Sequence, residues 1–138
     1  GAGTYEGVVG GTQYYWEMEG TVPSAKAFNA AFRSANDGRY PSDYGAMAYS
    51  AVGLLLMAVK QAGTADTGKV AQSLCDLKYD TYKGSQHYRG CDQQSVQSVL
   101  VIESNAKEST SPDDVFKVLH VEPASDKLLR SCQELGFK

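Results

Sequence analysis

The sequence predicts a layered α/β fold, and three observations predict it. Residues 46–59 form a charge-free run long enough for a helix interior, residues 96–103 and 115–121 are short and rich in branched side chains, and the segments follow the order strand, three helices, strands, helix. With 138 residues, 42% hydrophobic and 21% charged, the chain has the composition of an ordinary globular protein and not of a disordered or fibrous one. The net charge of −3 and the single, scattered lysines and arginines supply no basic stripe, so nucleic acid is not an expected partner. Residues 1–11 carry neither a basic nor a long apolar stretch of the signal-peptide kind. The chain is thus cytoplasmic, already processed, or a piece of something longer.

Taken in order, residues 6–15 begin apolar and run into glycines and aromatics, as a buried strand does when it leaves its sheet through a flexible corner, and Trp16 ends the run. Over residues 23–36, Ala25, Phe28, Ala31, Phe32 and Ala35 recur at helical steps with polar residues between them. This is an amphipathic helix closed by Asn36-Asp37-Gly38. Residues 40–63 read as the longest helix. Pro41 and Ser42 start it, Lys60 suits its carbonyl end and Gly63 can close it in the left-handed conformation. Since the run 46–59 is shorter than the roughly 20 apolar residues a bilayer requires, the expectation is burial inside protein on most faces. A third helix is capped by Asp66 or Thr67 and carries Val70, Leu74 and Leu77 on one stripe.

Residues 79–89 alternate aromatic and polar side chains around a glycine, which suggests a short exposed hairpin. Residues 96–103 and 115–121 are the stronger strands, joined by the polar, exposed linker 104–114. A last helix is expected over 125–135, with Leu128, Leu129, Cys132 and Leu135 on one face.

Candidate chemistry is sparse. The stretch 63–69 has the glycine and lysine spacing of a phosphate-binding loop, but Val70 stands where a Ser or Thr must hold magnesium, and a helix precedes it where a strand should. Gly7, Gly10 and Gly11 lack dinucleotide-binding spacing. His87 and Cys91 are too isolated to form a zinc site, and Cys75 and Cys132 fall late in their helices, where no nucleophile is activated. No catalytic residue, metal or cofactor is therefore assigned. Cys91 precedes a strand and Cys132 belongs to a helix expected near the same sheet, so a Cys91–Cys132 disulfide is predicted, with Cys75 free. The aromatics Tyr14, Tyr15, Trp16, Tyr40, Tyr44 and Tyr49 crowd two helix entries. Most serve as core, while an aromatic face with a polar tip also suits a ligand pocket. Tyr44, Tyr15 and Trp16 are the ligand-binding candidates, and the helix start beside Tyr44 favours a carboxylate.

These segments together carry a resemblance. EGVVGGTQYYWE, the Phe28-x-x-x-Phe32 pair, Pro41 followed by AMAYSAVGLLLMAVKQAGTAD, then YRGCDQQ and VFKVLHVEP resemble the carboxyl-terminal third of type I periplasmic solute-binding proteins, the branched-chain amino acid and amide group of ABC-transporter receptors. The resemblance implies a two-lobed α/β fold with helices on a mostly parallel sheet, of which this chain is a fragment. Residues 1–22 would be a second-lobe strand and hinge, 23–95 first-lobe helices and hairpin, and 96–138 second-lobe strands and terminal helix. It further implies a periplasmic location, a small-molecule ligand such as an amino acid, amide or small carboxylate, a membrane permease as partner, and no catalysis. Self-association of the fragment would cover unpaired strand edges. At Tyr44 it implies an aromatic ring against the ligand's hydrocarbon part, and it places Gln93 where the family often has His. A cytoplasmic ligand-sensing regulator on the same fold is the alternative, and an enzyme of unknown type the third.

Overall fold

Side-chain caps and two special residues decide where the helices begin and end. The computed structural model describes residues 2–75, 77–105 and 111–137. Helix α1, Pro23–Ala35, opens on Pro23, whose missing N–H costs nothing at the first helical position. Helix α2, Asp43–Ala62, starts from Ser42, whose Oγ accepts from the Gly45 amide at 3.1 Å. It ends at Gly63, which takes φ 65° and returns its N–H to the Val59 carbonyl at 3.0 Å. Helix α3, Thr67–Leu74, is capped by Asp66, which accepts from the Lys69 amide at 3.0 Å. The stretch 63–69 is thus a helix-to-helix connector, with the Asp66 carboxylate on an amide that a phosphate loop would leave for its ligand.

Two three-stranded sheets complete the fold. One has the order β1-β5-β6, from β1, Val9–Thr12, β5, Val99–Ser104, and β6, Phe116–Glu122. The other has the order β2-β3-β4, from β2, Lys78–Tyr79, β3, Gln86–Tyr88, and β4, Ser95–Val96. The mixture of helices and sheets is the α/β class that the sequence predicts. The strand direction differs in detail, since every pair among the described residues is antiparallel where mostly parallel strands are expected. Parallel neighbours need a helical crossover between strands of one sheet, and here α1, α2 and α3 separate β1 from β2, which lie in different sheets. The expected strand 96–103 divides for the same reason: the chain leaves one sheet at β4 and enters the other at β5 within two residues, Gln97 and Ser98.

The core sits between α1, the start of α2 and the larger sheet. It holds Tyr14, Tyr15, Met18, Ala25, Phe28, Ala46, Tyr82, Leu100 and Ile102. Tyr14 meets Phe28 and Tyr82 edge to face at 5.8 and 5.3 Å, the quadrupole-favoured geometry, while Phe28 and Tyr82 stack at 5.2 Å. Asn29, placed by periodicity on the polar side of α1, is fully buried: its amide donates to the Trp16 carbonyl and to Glu19 Oε2, both at 2.9 Å, and its Oδ1 accepts from the Tyr14 hydroxyl. The inward face of α1 is therefore Ala25, Phe28 and Asn29, while Ala31 and Ala35 are exposed.

Four further expectations are corrected. The charge-free helix α2 is not buried on most faces. Ala46, Leu54 and Ala58 form one narrow inward stripe, whereas Val52 and Leu56 are 59% and 62% exposed. A helix buries only the faces that have a partner, and among the described residues α3 and the core meet α2 on one side. At 20 residues α2 is long and apolar enough, by length and composition only, to cross a membrane. Residues 6–15 hold no buried strand but the edge strand β1, with Val8 and Val9 exposed, because β1 pairs with β5 alone. The segment 79–89 is not an exposed hairpin: Tyr79, Tyr82, Lys83 and Gln86 are buried between the small sheet and its neighbours.

The predicted helix 125–135 is the fourth. It is only a 3-10 turn, Asp126–Leu128, followed by an extended Leu129 and a separate turn. Ser131 and Glu134 cap one another, Ser131 N donating to Glu134 Oε2 at 2.7 Å and Glu134 N to Ser131 Oγ at 3.2 Å. This reciprocal start signal opens a new turn in the middle of what periodicity reads as one helix. Cys132 lies in that turn and is joined to Cys91 by a disulfide with a Cα–Cα distance of 6.1 Å, while Cys75 is free. The bridge spans 41 residues and holds the chain's end to the β3–β4 turn, a closure that stabilises by about 3–4 kcal/mol in the chain-entropy account. Within the predicted linker 104–114, residues 106–110 lie outside the described residues.

Asn29 supplies the fold's stability test. Asn29→Ala leaves the Tyr14 hydroxyl and the Trp16 carbonyl buried without their partner, so urea denaturation should show a loss of about 2–4 kcal/mol.

Candidate functional site

Consecutive residues on extended chain point to opposite sides, and the corner after β1 uses that alternation. Tyr14 turns towards α1 and the small sheet's loop, while Tyr15 and Trp16 turn towards the approach to β6. The Tyr15 hydroxyl donates to the Asp113 carbonyl at 3.0 Å and accepts from the Val115 and Phe116 amides at 3.1 and 3.2 Å. The Trp16 indole also donates to the Asp113 carbonyl, at 2.8 Å. Trp16 stacks on Tyr40 at 4.6 Å, and the Arg33 guanidinium lies 4.4 Å from the centre of the Tyr40 ring.

This corner walls a cavity of about 430 Å³. Tyr14, Tyr15, Trp16 and Tyr40 supply aromatic surface, and Gly11 and Thr12 of β1 and Ile102 of β5 add the sheet side. Pro41, Ser42 and Asp43 bring the start of α2, and Pro112, Asp113, Val115 and Phe116 bring the approach to β6. Two of the three ligand-binding candidates, Tyr15 and Trp16, thus lie together on this wall. Tyr44 does not line it. Its ring is 76% exposed, one residue beyond the lining Asp43.

The chemistry of the wall follows from burial and charge. Burial pushes the Tyr14 phenol up, with Glu19 adding to the effect, and burial pushes Tyr15 up against the opposing bonds from Phe116 and Val115. Burial also raises Tyr40, with Glu19 next. These phenols stay neutral and act as hydrogen-bonding groups, not as bases. The start of α2 is not an open carboxylate site: the Ser42 and Asp43 side chains already accept from the Gly45 and Tyr44 amides, at 3.1 and 2.9 Å. Among the described residues no group of three or more His, Cys, Asp or Glu is placed to hold a metal ion. His87 Nε2 lies 3.4 Å from Asp126, and His120 Nε2 lies 3.2 Å from Glu122.

The segment that crosses from β4 to β5 is the second place of note. Before it, the turn 88–94 is fixed by Arg89, which pairs with Asp92 and reaches the Arg130 carbonyl at 2.8 Å, next to the disulfide. The bond from Arg89 holds the Asp92 carboxyl down at about 2. Gln93 takes the left-handed conformation there, φ 59°. On the crossing itself, Gln97 Oε1 accepts from Lys83 Nζ at 3.1 Å. Lys83 is buried with no charged group among the described residues to offset its charge, and burial alone lowers it to about 8. Sequence reasoning missed Lys83 and Asn29 because a polar residue in a polar-looking segment gives no periodic sign of burial.

The periplasmic binding protein family matches residues 1–109, and the chain belongs to that family. Among solved structures, a periplasmic binding protein from Burkholderia mallei is 27% identical with a TM-score of 0.77, over 97% of this chain and 34% of that one. An amino acid ABC transporter substrate-binding protein from Pseudomonas fluorescens is 22% identical with a TM-score of 0.82, over 100% of this chain and 35% of that one. The leucine-, isoleucine-, valine-, threonine- and alanine-binding protein of Brucella ovis, in its closed conformation, is 21% identical with a TM-score of 0.73, over 93% and 34%. The chain thus spans about a third of the length of these structures. No curated protein matches it.

Lys83 gives the site a pH signature. Its folded value lies below the ordinary 10.5, so between about pH 8 and pH 9, before unfolded tyrosines ionise, the unfolded chain holds more protons and stability rises with pH. Above that window the raised phenols reverse the slope, because Tyr82, pushed up to about 12, stays protonated while an unfolded tyrosine ionises. Urea midpoints measured across the window should climb for the native chain. For Lys83→Met they should be flat across it, and higher near neutral pH by on the order of 2–3 kcal/mol.

Proposed function

We propose that this chain is the carboxyl-terminal part of the solute-binding receptor of an ABC transporter, taking up an amino acid, an amide or a small carboxylate. The observation that carries the reading is the aromatic cavity at the corner after β1, in a chain whose family is that of periplasmic binding proteins and whose named neighbours include transport receptors. Binding proteins of this kind hold a solute and pass it on, so no catalytic group is assigned. The full-length receptor works in the periplasm and delivers its solute to a membrane permease. The named neighbours weigh towards this reading over a cytoplasmic regulator on the same fold.

In this reading residues 1–22 and 96–138 belong to one lobe and residues 23–95 to the other. The gathering of β1, β5 and β6 in one sheet, apart from β2, β3 and β4, supports that division. The crossing at Gln97 and Ser98 then lies between lobes, where hinge motion closes such receptors. Tyr15 and Trp16 form the ligand wall, and Tyr44 presents its exposed ring to the part of the cleft built by the rest of the receptor. The exposed apolar faces of α2 and of β1 are surfaces that the rest of the receptor, or a second copy of the chain, would cover.

Calorimetry and thermal shift of the full-length receptor against a panel of amino acids, amides and small carboxylates test this. At least one solute should bind, and Trp16→Ala should weaken it about tenfold or more, the worth of one well-packed aromatic anchor. No binding and no shift with any member of the panel contradicts the receptor reading.

A further inference from the structure

The cavity wall has a charge bias that narrows the solute. Two carboxylate residues, Asp43 and Asp113, line it beside Tyr14, Tyr15, Trp16 and Tyr40, and among the described residues none that lines it is Lys, Arg or His. The group behind it follows the same sign. Glu19 sits behind Tyr40, accepting from its hydroxyl at 3.2 Å. Among the described residues Arg33 is a cation at the Tyr40 end of the wall. Its guanidinium is spent on Tyr40, bonding the hydroxyl at 3.2 Å and standing 4.4 Å from the ring centre, and on the Gly38 carbonyl at 2.9 Å.

The other usual anion-binding device is closed as well. The amides of Tyr44 and Gly45 at the start of α2 are occupied by Asp43 and Ser42, and Asp43 puts a negative charge where the helix dipole is positive. An anion entering this cavity would meet aromatic faces, which carry negative quadrupole density, and two carboxylates. A cation would meet both as attractions.

We propose that the cavity selects a solute bearing an organic cation, an ammonium group set against the Trp16, Tyr40 and Tyr15 wall with Asp113 and Asp43 as its counter-charges, and disfavours a solute whose only charge is a carboxylate. The inference rests on the receptor reading and narrows the solute class given there. It uses only residues of this chain.

Three ring-matched solutes separate the alternatives in the full-length receptor: benzylamine, benzamide and benzoate. Calorimetry supplies the affinities, and the Trp16 indole N–H resonance, assigned by its loss in Trp16→Phe, reports whether each solute reaches this wall. Benzylamine should shift the indole resonance and bind at least about tenfold more tightly than benzoate, with benzamide between them. Asp113→Asn should cut the benzylamine affinity about three- to tenfold and leave benzamide nearly unchanged, the size expected of one partly exposed charge pair. The fold is kept in that variant, because the bonds from Tyr15 and Trp16 go to the Asp113 main chain. Benzoate binding as tightly as benzylamine with the same indole shift overturns the cation preference and leaves the receptor reading intact. An indole resonance that none of the three moves overturns the inference. If the solute panel also gives no binding, the receptor reading fails with it.

Discussion

The corner Tyr14-Tyr15-Trp16 ties α1 and the small sheet's loop to the larger sheet and to the approach to β6. Tyr14 sends its hydroxyl to Asn29 in α1 and its ring to Phe28 and Tyr82. One residue later Tyr15 sends its hydroxyl about a hundred residues along the chain, to the segment that opens β6. Antiparallel pairing of β1 with β5 holds the larger sheet together, but it does not attach the helices. The aromatic triplet does, since Tyr14 faces the opposite side from Tyr15 and Trp16 and each ring ends in a hydrogen bond. A net hydrogen bond is worth about 1 kcal/mol, yet leaving its partners buried and unpaired costs about 1–3 kcal/mol, so the corner is held more firmly by the cost of breaking it than by the gain in making it.

The cavity is a by-product of that attachment. Tyr15 and Trp16 both donate to the Asp113 carbonyl, and the aromatic hollow lies between the approach to β6 and the start of α2. The polar ends of the rings are consumed by the fold. Their faces and edges, with Asp43 and Asp113, line the hollow, and under the proposed function they would select a solute by shape and sign of charge more than by directed hydrogen bonds. Lys83, bonded to Gln97 on the crossing segment, shows the other side of the balance, a buried charge tolerated at a cost to stability.

What could be read in the sequence was what local chemistry decides. The ends of α2 followed from Ser42 and Gly63, the start of α1 from Pro23, and the cap of α3 was narrowed to Asp66 or Thr67, of which Asp66 is the cap, because caps depend on neighbours two to four residues away. What could not be read depends on partners far along the chain. The absence of charge in α2 says that its faces suit an apolar surface and not that the surface is present in this chain, so Val52 and Leu56 are exposed. The burial of Asn29, Lys83 and Gln86 is set by loops from elsewhere, and polar side chains leave no period to detect. The final helix failed because the Ser131 and Glu134 cap, a signal present in the sequence, was outweighed by the leucine spacing around it. At the site, the crowding of aromatics was legible, whereas the role of Asp113 was not, because it enters through its main-chain carbonyl as much as its carboxylate.

The attachment at Tyr15 is most directly tested by amide hydrogen exchange at Val115 and Phe116 in the native chain and in Tyr15→Phe. Removal of one oxygen should speed exchange at both amides about tenfold or more while the β1–β5 amides keep their protection. Unchanged exchange at Val115 and Phe116 would mean that the approach to β6 is held by something other than the aromatic corner, and the account of how this chain joins its sheets to its helices would be wrong.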